Sequence, residues 1–416
     1  MYKYKINSSY DKIPLEIVIE KAPLNTNGFA DILSINLEYT HKLNRAKNRI
    51  TEVNSFIWED VKKNTNPYEF IYAFNSKNKG NDYRSVASIK PLSRSFFKMI
   101  EMIYEFCPSI LNKENNKVIS THLAEGPGGF IEAVRYIRKG KNNDIAFGMT
   151  LVRTNTQYSN HNSTHNQNQN QIHIPGWKQS NHFLFNNPEV HIIYGVDGTG
   201  DLYKSENIYF LYNEMRKYGN ENLQNAELIT ADGGFDFSID YNYQEQSSCK
   251  LIFSQILGAL KCQRLGGIFI CKFFDINSYF TVEMLYLLYT TYESVIIYKP
   301  YTSRIANSEK YIVCSNFKGI ETAFLTTLFD VLDKWNKYSG ETINHMFKEI
   351  PLPFIENIKT INKEIIDCQV KSIHNAIDII KNKKLSDKQW IESNIEKQIK
   401  NAKEWCKKYN IPYREI

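Results

Sequence analysis

One lysine of this chain lies where a charged side chain is energetically costly, within the apolar segment GGIFICKFFD at residues 266–275. The residues before Lys272 predict a strand that is buried on both faces, and two phenylalanines continue the apolar run after it. Burying an ammonium group without a partner destabilises a fold or favours the neutral amine. Lys272 is therefore expected to have an acidic partner and a chemical role.

Three further charged residues stand near the ends of predicted strands and helices. Asp232 follows an apolar strand in ITADGGFDFS, residues 229–238, and Glu309 leads into a strand in KPYTSRIANSEKYIVC, residues 299–314. Lys98 lies in the helical segment SRSFFKMIE. Each of them alone is typical of a surface ion pair. Because open α/β folds bind ligands at the carboxyl ends of their strands, two lysines and two acids placed there together indicate a charged site.

A glycine-rich turn joins a predicted strand to a predicted helix in HLAEGPGGFIEAV, residues 122–134. Glycines permit a tight turn and let backbone amides approach a ligand at the edge of a sheet. A dinucleotide-binding fingerprint would require a third glycine where this chain has Ile131, and the lysine and hydroxyl residue that end a P-loop are absent too. The segment favours an adenosine-type ligand that carries an amino acid, with a purely structural turn as the alternative.

Strand-like and helix-like segments alternate over residues 117–317, which predicts an α/β domain with a Rossmann-like, doubly wound sheet. A tract of Asn, Gln, His and Ser interrupts the alternation, and we predict a disordered insertion at about 155–171. Residues 321–416 have a helical pattern throughout. The predicted organisation is an N-terminal extension of mixed structure, the α/β domain and a helical, basic C-terminal region, with the boundaries 1–90, 91–318 and 319–416.

The composition narrows the class of protein. The chain has 416 residues and a net charge of +6, of which residues 359–416 carry +5, so this segment suits an anionic partner or a solvated helical face. The seven cysteines include no C-x-x-C pair, which predicts free thiols in a reducing compartment and no metal site. The sequence shows neither a secretory signal nor an uncharged run of membrane-spanning length, so we expect an intracellular protein without membrane association.

Taken together, EGPGGF, TADGGF, GGIFICKFFD and KPYTSRIANSEKYIVC closely resemble the FtsJ-like family of S-adenosylmethionine-dependent RNA 2′-O-methyltransferases. Within that family they look most like the cap-specific enzymes that methylate the first transcribed nucleotide of mRNA. The resemblance extends to NPYE at 66–69, to FGMTL at 147–151 and to GVDGTGD at 195–201. It covers roughly residues 40–317, and the polar insertion and the helical C-terminal region depart from the family pattern.

The resemblance implies a class I methyltransferase fold and a Lys-Asp-Lys-Glu tetrad made of Lys98, Asp232, Lys272 and Glu309. It implies S-adenosylmethionine as cofactor, bound here by Ala124, Glu125, Gly126, Pro127, Gly128, Gly129, Phe130, Asp201, Leu202 and Asp232. It also implies RNA contacts for Lys47, Lys62, Arg304 and Asn307, of which the first two lie in the N-terminal extension. The implied partners are RNA, above all the 5′ end of capped mRNA, and other capping or transcription enzymes.

The tetrad suits methyl transfer to a ribose hydroxyl, because the donor is already activated and the protein has to align the reactants and activate the nucleophile. A partly buried lysine beside a second cation can act as a general base. Lys272 fits that role, with Lys98 as the neighbouring cation and with Asp232 and Glu309 orienting the two lysines. The sequence leaves open whether Lys272 removes the proton or only orients the hydroxyl.

Other functions are compatible with parts of the pattern. A general FtsJ-like enzyme would methylate ribosomal or transfer RNA, and a non-catalytic RNA-binding subunit would keep the fold without the activity. NPYE favours the cap enzymes over the first alternative, the intact tetrad argues against the second, and the missing third glycine disfavours a dehydrogenase.

High Asn, Lys, Ile and Tyr usage suggests a viral or protist source. We expect the cytoplasm, a virion or a viral factory for a viral protein and the nucleus for a cellular one.

Overall fold

The computed structural model describes residues 1–7, 13–31, 33–73, 85–112, 117–139, 143–152, 176–219, 225–235 and 241–416. The predicted insertion at 155–171 lies outside these ranges. Their strands are β1 (Tyr2–Lys5), β2 (Ile17–Pro23), β3 (Ile119–Leu123), β4 (Ile145–Met149), β5 (Val190–Ile192), β6 (Ala226–Ala231), β7 (Gln263–Phe273), β8 (Tyr292–Lys299), β9 (Lys310–Phe317) and β10 (Glu341–Phe347).

The α-helices of the described ranges are α1 (Leu37–Thr51), α2 (Ser55–Thr65), α3 (Ser95–Phe106), α4 (Pro108–Leu111), α5 (Gly129–Ile137), α6 (Asn181–Phe185), α7 (Ser205–Arg216), α8 (Gln244–Cys262), α9 (Tyr279–Thr291), α10 (Thr322–Trp335), α11 (Leu352–Lys381) and α12 (Lys388–Lys408). None of these helices is both long enough and apolar enough to cross a membrane.

Eight strands form one central sheet in the order β1-β8-β9-β7-β6-β3-β4-β5. The strands from β7 to β5 in this order run parallel, whereas β9 is antiparallel to both β7 and β8, and β1 is antiparallel to β8. This confirms the predicted α/β class and the Rossmann-like, doubly wound sheet. The strand order reverses between β3 and β6, because β4 lies on one side of β3 and β6 on the other. Open α/β sheets bind their ligands at such a reversal, outside the carboxyl ends of the strands.

The residues of β7 alternate between the two faces of the sheet, and this alternation decides where Lys272 projects. Phe269 and Cys271 belong to the core cluster that contains α8 and α9. Ile268 and Ile270 belong to the cluster on the other face, which contains α3 and α5. Lys272 continues the second series, so it projects towards the face covered by α3, the helix that carries the other predicted lysine.

The prediction that residues 321–416 are wholly helical is wrong between α10 and α11. There the chain forms β10, which pairs antiparallel with β2 in a two-stranded sheet. The buried Glu283 of α9 supports this sheet, because its carboxylate accepts hydrogen bonds from the backbone amides of Met346 (2.8 Å) and Phe347 (2.9 Å). Burial raises the pKa of Glu283 to about 8. The N-terminal and C-terminal regions are thus joined to each other and to the central domain.

Helices α1, α2 and α11 pack together around an apolar cluster that includes Leu43 and Ile373. Ala306 belongs to the same cluster and lies in the segment between β8 and β9, residues 300–309, here called the β8–β9 loop. Gln369 of α11 donates a side-chain hydrogen bond to the carbonyl oxygen of Ala306 (3.4 Å). These helices therefore pack directly on the loop that leads to Glu309.

Candidate active site

The first part of the site is the turn between β3 and α5, at the carboxyl end of a fully buried strand. Gly128 precedes α5 with a φ of 101°, in the left-handed region that favours glycine. A β-carbon on Gly129 would lie 2.2 Å from Oγ of Ser95, so only glycine lets the start of α5 approach the start of α3 this closely. The turn thus brings the helix of Lys98 to the ligand-binding edge of the sheet.

The second part is the turn after β6, with the sequence Asp232-Gly233-Gly234. The backbone N–H of Gly233 donates a hydrogen bond to Oε1 of Gln255 in α8 (3.0 Å). A β-carbon on Gly234 would lie 3.0 Å from Nζ of Lys272. Glycine at this position therefore leaves room for the lysine beside Asp232.

Lys272 and Asp232 are in direct contact. Nζ of Lys272 donates a hydrogen bond to the backbone carbonyl oxygen of Asp232 (2.7 Å) and lies 3.3 Å from its Oδ1. The two side chains are 12% and 16% exposed, so the pair is largely shielded and yet reachable from the cavity described below. The hydroxyl of Tyr311 in β9 donates a hydrogen bond to the same Oδ1 (2.9 Å). Lys272 therefore has an acidic partner whose orientation is fixed by a third residue.

Lys98 and Glu309 form the second pair. Nζ of Lys98 lies 2.7 Å from Oε1 and 2.9 Å from Oε2 of Glu309, and Ser303 donates a hydrogen bond to Oε1 (2.9 Å). Burial acts to raise the pKa of Glu309, but the ammonium groups of Lys98, Lys272 and Lys299 lower it to about 2. Glu309 is thus a charged carboxylate at neutral pH and holds Lys98 in place.

Two residues of this cluster, Lys299 and Tyr311, are not among those predicted from the sequence. Lys299 ends β8, is 2% exposed, and donates hydrogen bonds from Nζ to the side-chain oxygen of Asn307 (2.7 Å) and to the backbone carbonyl oxygen of Glu309. Burial lowers the pKa of Lys299 to about 7. Its signal in SVIIYKP is the one that identifies Lys272, a lysine at the end of an apolar strand. Tyr311 carries a weaker signal, an aromatic residue two positions after a candidate acid.

A cavity of about 600 Å³ opens at the carboxyl ends of β3 and β6. This volume suits a ligand of the size of a nucleoside derivative. Asp201 reaches the cavity from a turn after β5, where its Oδ1 accepts a hydrogen bond from the backbone N–H of Tyr203 (2.9 Å). The cavity brings together eight predicted residues in its wall, namely Ala124, Gly126, Pro127, Asp201, Leu202, Asp232, Lys272 and Glu309.

Four predicted cofactor residues are not in the wall of this cavity, namely Glu125, Gly128, Gly129 and Phe130. Phe130 is fully buried and packs against Tyr311, with 5.9 Å between the ring centroids. Glu125 is 5% exposed, accepts a hydrogen bond from the hydroxyl of Thr230 and lies 3.4 Å from Nδ1 of His122. Burial raises the pKa of Glu125. These four residues shape the loop and do not line the cavity, and their contacts with the cofactor stay a prediction.

The predicted RNA contact of Lys47 has to be corrected, because this side chain is buried. Lys47 is 2% exposed, and its ammonium group pairs with the buried carboxylate of Asp275 and donates a hydrogen bond to the carbonyl oxygen of Tyr241 (2.8 Å). A buried ammonium group with a carboxylate partner is not available to a phosphate without breaking that pair. Lys47 is therefore a structural residue that joins α1 to the end of the segment GGIFICKFFD.

The other three residues predicted to contact RNA each have a partner within the protein. Lys62 forms an ion pair within its own helix, α2. Arg304 donates a hydrogen bond to Glu69 (2.8 Å), and Asn307 accepts one from Lys299. Arg304 and Asn307 thus share the β8–β9 loop, close to the tetrad, whereas Lys62 lies on a separate helix. Their contacts with RNA stay a prediction.

The sequence of residues 91–317, more than half of the chain, matches the family model of FtsJ-like methyltransferases. The chain belongs to the FtsJ-like methyltransferase family. Cap-specific mRNA (nucleoside-2′-O-)-methyltransferase 1 of Trypanosoma brucei brucei is 44% identical over 133 residues, which are 32% of this chain and 34% of that protein. The human protein of the same name is 31% identical over 255 residues, 58% of this chain and 28% of that protein. The chain thus spans about a third of the length of the curated relatives it matches.

The similarity of this chain to a solved structure is weaker than its similarity to these relatives in sequence. The structure of a Plasmodium falciparum protein described as a ribosomal RNA methyltransferase is 19% identical, covers 55% of this chain and 99% of that chain, and has a TM-score of 0.35. A TM-score of this size carries no structural argument.

S-adenosylmethionine is the methyl donor that the FtsJ-like family implies, and the residues of the cavity fit it. The carboxylate of Asp201 can accept hydrogen bonds from ribose hydroxyls, and Leu202 and Pro127 add apolar surface for a purine. Gly126 leaves the backbone of the glycine-rich turn accessible at the cavity wall. In the ranges given above, no three His, Cys, Asp or Glu side chains are grouped so that they could hold a metal ion.

Proposed function

We propose that this chain methylates a ribose 2′-hydroxyl of RNA, and that its substrate is the first transcribed nucleotide of capped mRNA. The observation that carries the proposal is the position of Lys272, whose side chain lines the cavity while its amine contacts Asp232. Glu309 shares the same wall and forms an ion pair with Lys98 behind it. The relatives named as cap-specific mRNA methyltransferases support the cap as the feature that selects the substrate.

The reaction requires that the hydroxyl be aligned and lose its proton. S-adenosylmethionine, when bound, supplies an activated methyl group. Lys272 is the residue to which we assign the removal of the hydroxyl proton, at Nζ. Asp232 holds this amine through its carbonyl oxygen at 2.7 Å and its Oδ1 at 3.3 Å, and Tyr311 keeps the Asp232 carboxylate in place with a hydrogen bond of 2.9 Å.

The Lys98–Glu309 pair has a different task, which is electrostatic. The ammonium group of Lys98 lies 5.9 Å from the ring centroid of Tyr311, the residue that orients Asp232. Lys272 is paired with Tyr311 across strands β7 and β9, so both lysines are neighbours of the same tyrosine. A fixed cation at this place stabilises the negative charge that develops on the 2′-oxygen. Glu309 keeps the two lysines from repelling each other, because its carboxylate is attracted by both.

The RNA side of the site is assigned to the β8–β9 loop and the residues next to it. Arg94 lines the cavity and donates a hydrogen bond to the carbonyl oxygen of Thr302 (3.4 Å). Arg94 and Arg304 both pair with Glu69, at 3.2 Å and 2.8 Å. Arg304 also lies 4.0 Å from the carboxylate of Glu59, so the guanidinium charges are paired within the protein. The planar guanidinium groups next to the cavity offer the donors that a phosphate of the RNA backbone needs.

Two transcripts of one short sequence, one capped and one uncapped, provide the test of the substrate. Each is incubated with the protein and S-adenosylmethionine, digested, and analysed by mass spectrometry to locate the added methyl group. We expect one methyl group on the 2′-oxygen of the first transcribed nucleotide, in the capped transcript only. Equal methylation of both transcripts would replace the cap-specific enzyme by a general RNA methyltransferase. Methylation of no RNA would refute the proposed activity.

The variant Lys272→Ala tests the assignment of the base. We expect it to fold and to bind S-adenosylmethionine, measured by calorimetry, while its methyl transfer falls by about 10²-fold or more. Lys348→Ala is the matched control, because Lys348 is an exposed lysine whose side chain is 60% accessible. Methyl transfer by purified Lys272→Ala at the rate of the control would rule Lys272 out as the base.

A further inference from the structure

The C-terminal helix α12 packs against α3, the helix that carries Lys98. Trp405 of α12 is 3% exposed and contacts Phe97 of α3 with 5.9 Å between the ring centroids. Tyr409, directly after α12, donates a hydrogen bond from its hydroxyl to Oε1 of Glu105 (2.9 Å) in the same helix α3. The helix α12 therefore forms part of the surroundings of a tetrad residue.

Glu101 is the residue through which α12 reaches the site. It is fully buried on α3, one turn after Lys98. One of its carboxylate oxygens accepts a hydrogen bond from Nε1 of Trp405 (3.1 Å). The other accepts hydrogen bonds from the backbone N–H of Tyr301 (2.7 Å) and from the hydroxyl of Tyr298. Since Tyr298 belongs to β8 and Tyr301 to the β8–β9 loop, one carboxylate joins α3, α12 and the loop that leads to Glu309.

The donors around Glu101 depend on one another. Burial raises the pKa of Glu101, and the hydrogen bonds from Tyr298, Tyr301 and Trp405 act against that shift. A buried carboxyl group that loses a donor is left with an unsatisfied oxygen, which is costly in a site that water does not reach. Loss of one donor is therefore expected to move the carboxylate and, with it, the groups that remain bonded to it.

A second carboxylate connects α12 with the same loop. Nε2 of Gln398 in α12 donates a hydrogen bond to the carbonyl oxygen of Asn66 (2.6 Å), and Nδ2 of Asn66 donates one to Oε2 of Glu69 (2.7 Å). Glu69 in turn accepts a hydrogen bond from Arg304 in the β8–β9 loop (2.8 Å). The helix α12 thus supports the loop through two separate acids, Glu69 and Glu101.

We propose that Glu101 is a positioning residue for the Lys98–Glu309 pair, and that the C-terminal helix acts on this pair through the hydrogen bond from Trp405 to Glu101. The proposal rests on the function proposed above for the tetrad. Lys98 and Glu309 belong to different elements, and Glu101 is bonded to the elements on both sides. A displacement of about 1 Å in such a pair can slow a reaction by up to about 10²-fold. Cofactor binding is unaffected, because Glu101 lies outside the wall of the cavity.

The variant Trp405→Phe removes the Nε1–H donor and keeps an aromatic ring next to Phe97. We expect kcat for methyl transfer to fall about tenfold, while KM for S-adenosylmethionine stays within about twofold of the wild-type value. Trp335→Phe is the matched control. Trp335 is also buried, at 6% exposure, but packs against Phe280 in the core cluster on the opposite face of the sheet. An equal fall in kcat in both variants at a similar loss of thermal stability would overturn the proposal.

The variant Glu101→Gln tests the same link from its other end. Glutamine places an amide donor where three donors converge, so at least one of the hydrogen bonds from α12, β8 or the loop is lost. We expect kcat to fall, and we expect Trp405→Phe to add little to this effect in the double variant, because both changes break one connection. If the fall in kcat in the double variant equals the product of the falls in the two single variants, the connection between α12 and the Lys98–Glu309 pair through Glu101 is contradicted.

Backbone hydrogen exchange separates a failure of this inference from a failure of the proposed function. Amides of residues 301–309 should exchange faster in Trp405→Phe than in Trp335→Phe, irrespective of which RNA is methylated. If the wild type methylates no RNA but this difference in exchange is found, the proposed function fails and the connection through Glu101 stands. If the wild type methylates RNA and neither kcat nor exchange responds to Trp405→Phe, the inference alone is wrong.

Discussion

Replacing Glu309 by glutamine tests whether a single negative charge holds the tetrad together. The variant Glu309→Gln keeps the size and the shape of the side chain and removes the charge. Nζ of Lys98 then loses the carboxylate oxygens at 2.7 Å and 2.9 Å, and the neighbouring lysines lose their common counter-charge. We therefore expect a loss of both stability and methyl transfer, and the loss of stability can be calculated.

The size of the effect on stability follows from the pKa of Glu309. Despite burial, which acts to raise it, the pKa falls from 4.5 to about 2 because Lys98, Lys272 and Lys299 are close. At about 1.4 kcal/mol per pKa unit, ionisation of Glu309 contributes about 3 kcal/mol to the free energy of unfolding at pH 7. Since the pKa is depressed in the folded state, the contribution is present above about pH 4.5 and is lost as the pH falls towards 2. About 1 kcal/mol of it remains at pH 3.

Urea denaturation of the wild type and of Glu309→Gln at pH 7 and pH 3 measures this contribution. We expect the free energies of unfolding to differ by about 3 kcal/mol at pH 7 and by about 1 kcal/mol at pH 3. Glu16→Gln is the control, because Glu16 pairs with Lys348 at the surface. The loss of such a pair leaves the urea concentration at the unfolding midpoint unchanged. A difference that is the same at both pH values, or no larger at pH 7 than in the control, would refute the stabilisation of Glu309 by the lysines.

Three further substitutions test other parts of the site. Gly234→Ala places a β-carbon 3.0 Å from Nζ of Lys272, so methyl transfer should be slower than in Gly176→Ala, whose β-carbon meets nothing within 4 Å; equal rates would show that Lys272 does not need this space. Lys299→Met removes an amine whose pKa burial lowers to about 7. Because the fold disfavours the charged amine, the wild type should gain about 2 kcal/mol in free energy of unfolding relative to Lys299→Met between pH 7 and pH 9, and a difference independent of pH would contradict this. Lys47→Met breaks a buried ion pair and should lower the free energy of unfolding by about 3 kcal/mol while the salt dependence of RNA binding stays the same; a smaller salt slope would restore Lys47 as an RNA contact.

The parallel part of the sheet could be predicted because its strands are short apolar runs that end at polar or glycine-rich turns. β3 is buried over its whole length and runs into the glycine-rich turn, and β6 runs into Asp232. The carboxyl ends of neighbouring parallel strands meet at one edge, so residues that follow such strands can be placed near each other without any knowledge of side-chain conformation. The same logic, applied to the end of β8, would have identified Lys299.

The terminal regions could not be predicted in this way, because their partners are distant in the sequence. Lys21 of β2 and Glu341 of β10 form an ion pair across 320 residues, and neither segment carries a local signal for the other. The burial of the Lys47 side chain could not be predicted for the same reason. Its helix is rich in basic residues, and only the fold shows that this one meets Asp275, which lies 228 residues further on. Helical patterning identified α1 and could not identify which of its lysines is buried.

Three buried carboxylates inside the segment that matches the family take partners from outside it, namely Glu101, Asp275 and Glu283. Glu101 is bonded to Trp405, Asp275 to Lys47, and Glu283 to backbone amides of β10. A protein cut at residues 91 and 317 would keep the acids and lose these partners. The limits of sequence similarity are therefore not limits of folding. A nascent chain cannot complete the interior of this segment until α12 has been synthesised, so the order of folding sets when the tetrad can assemble.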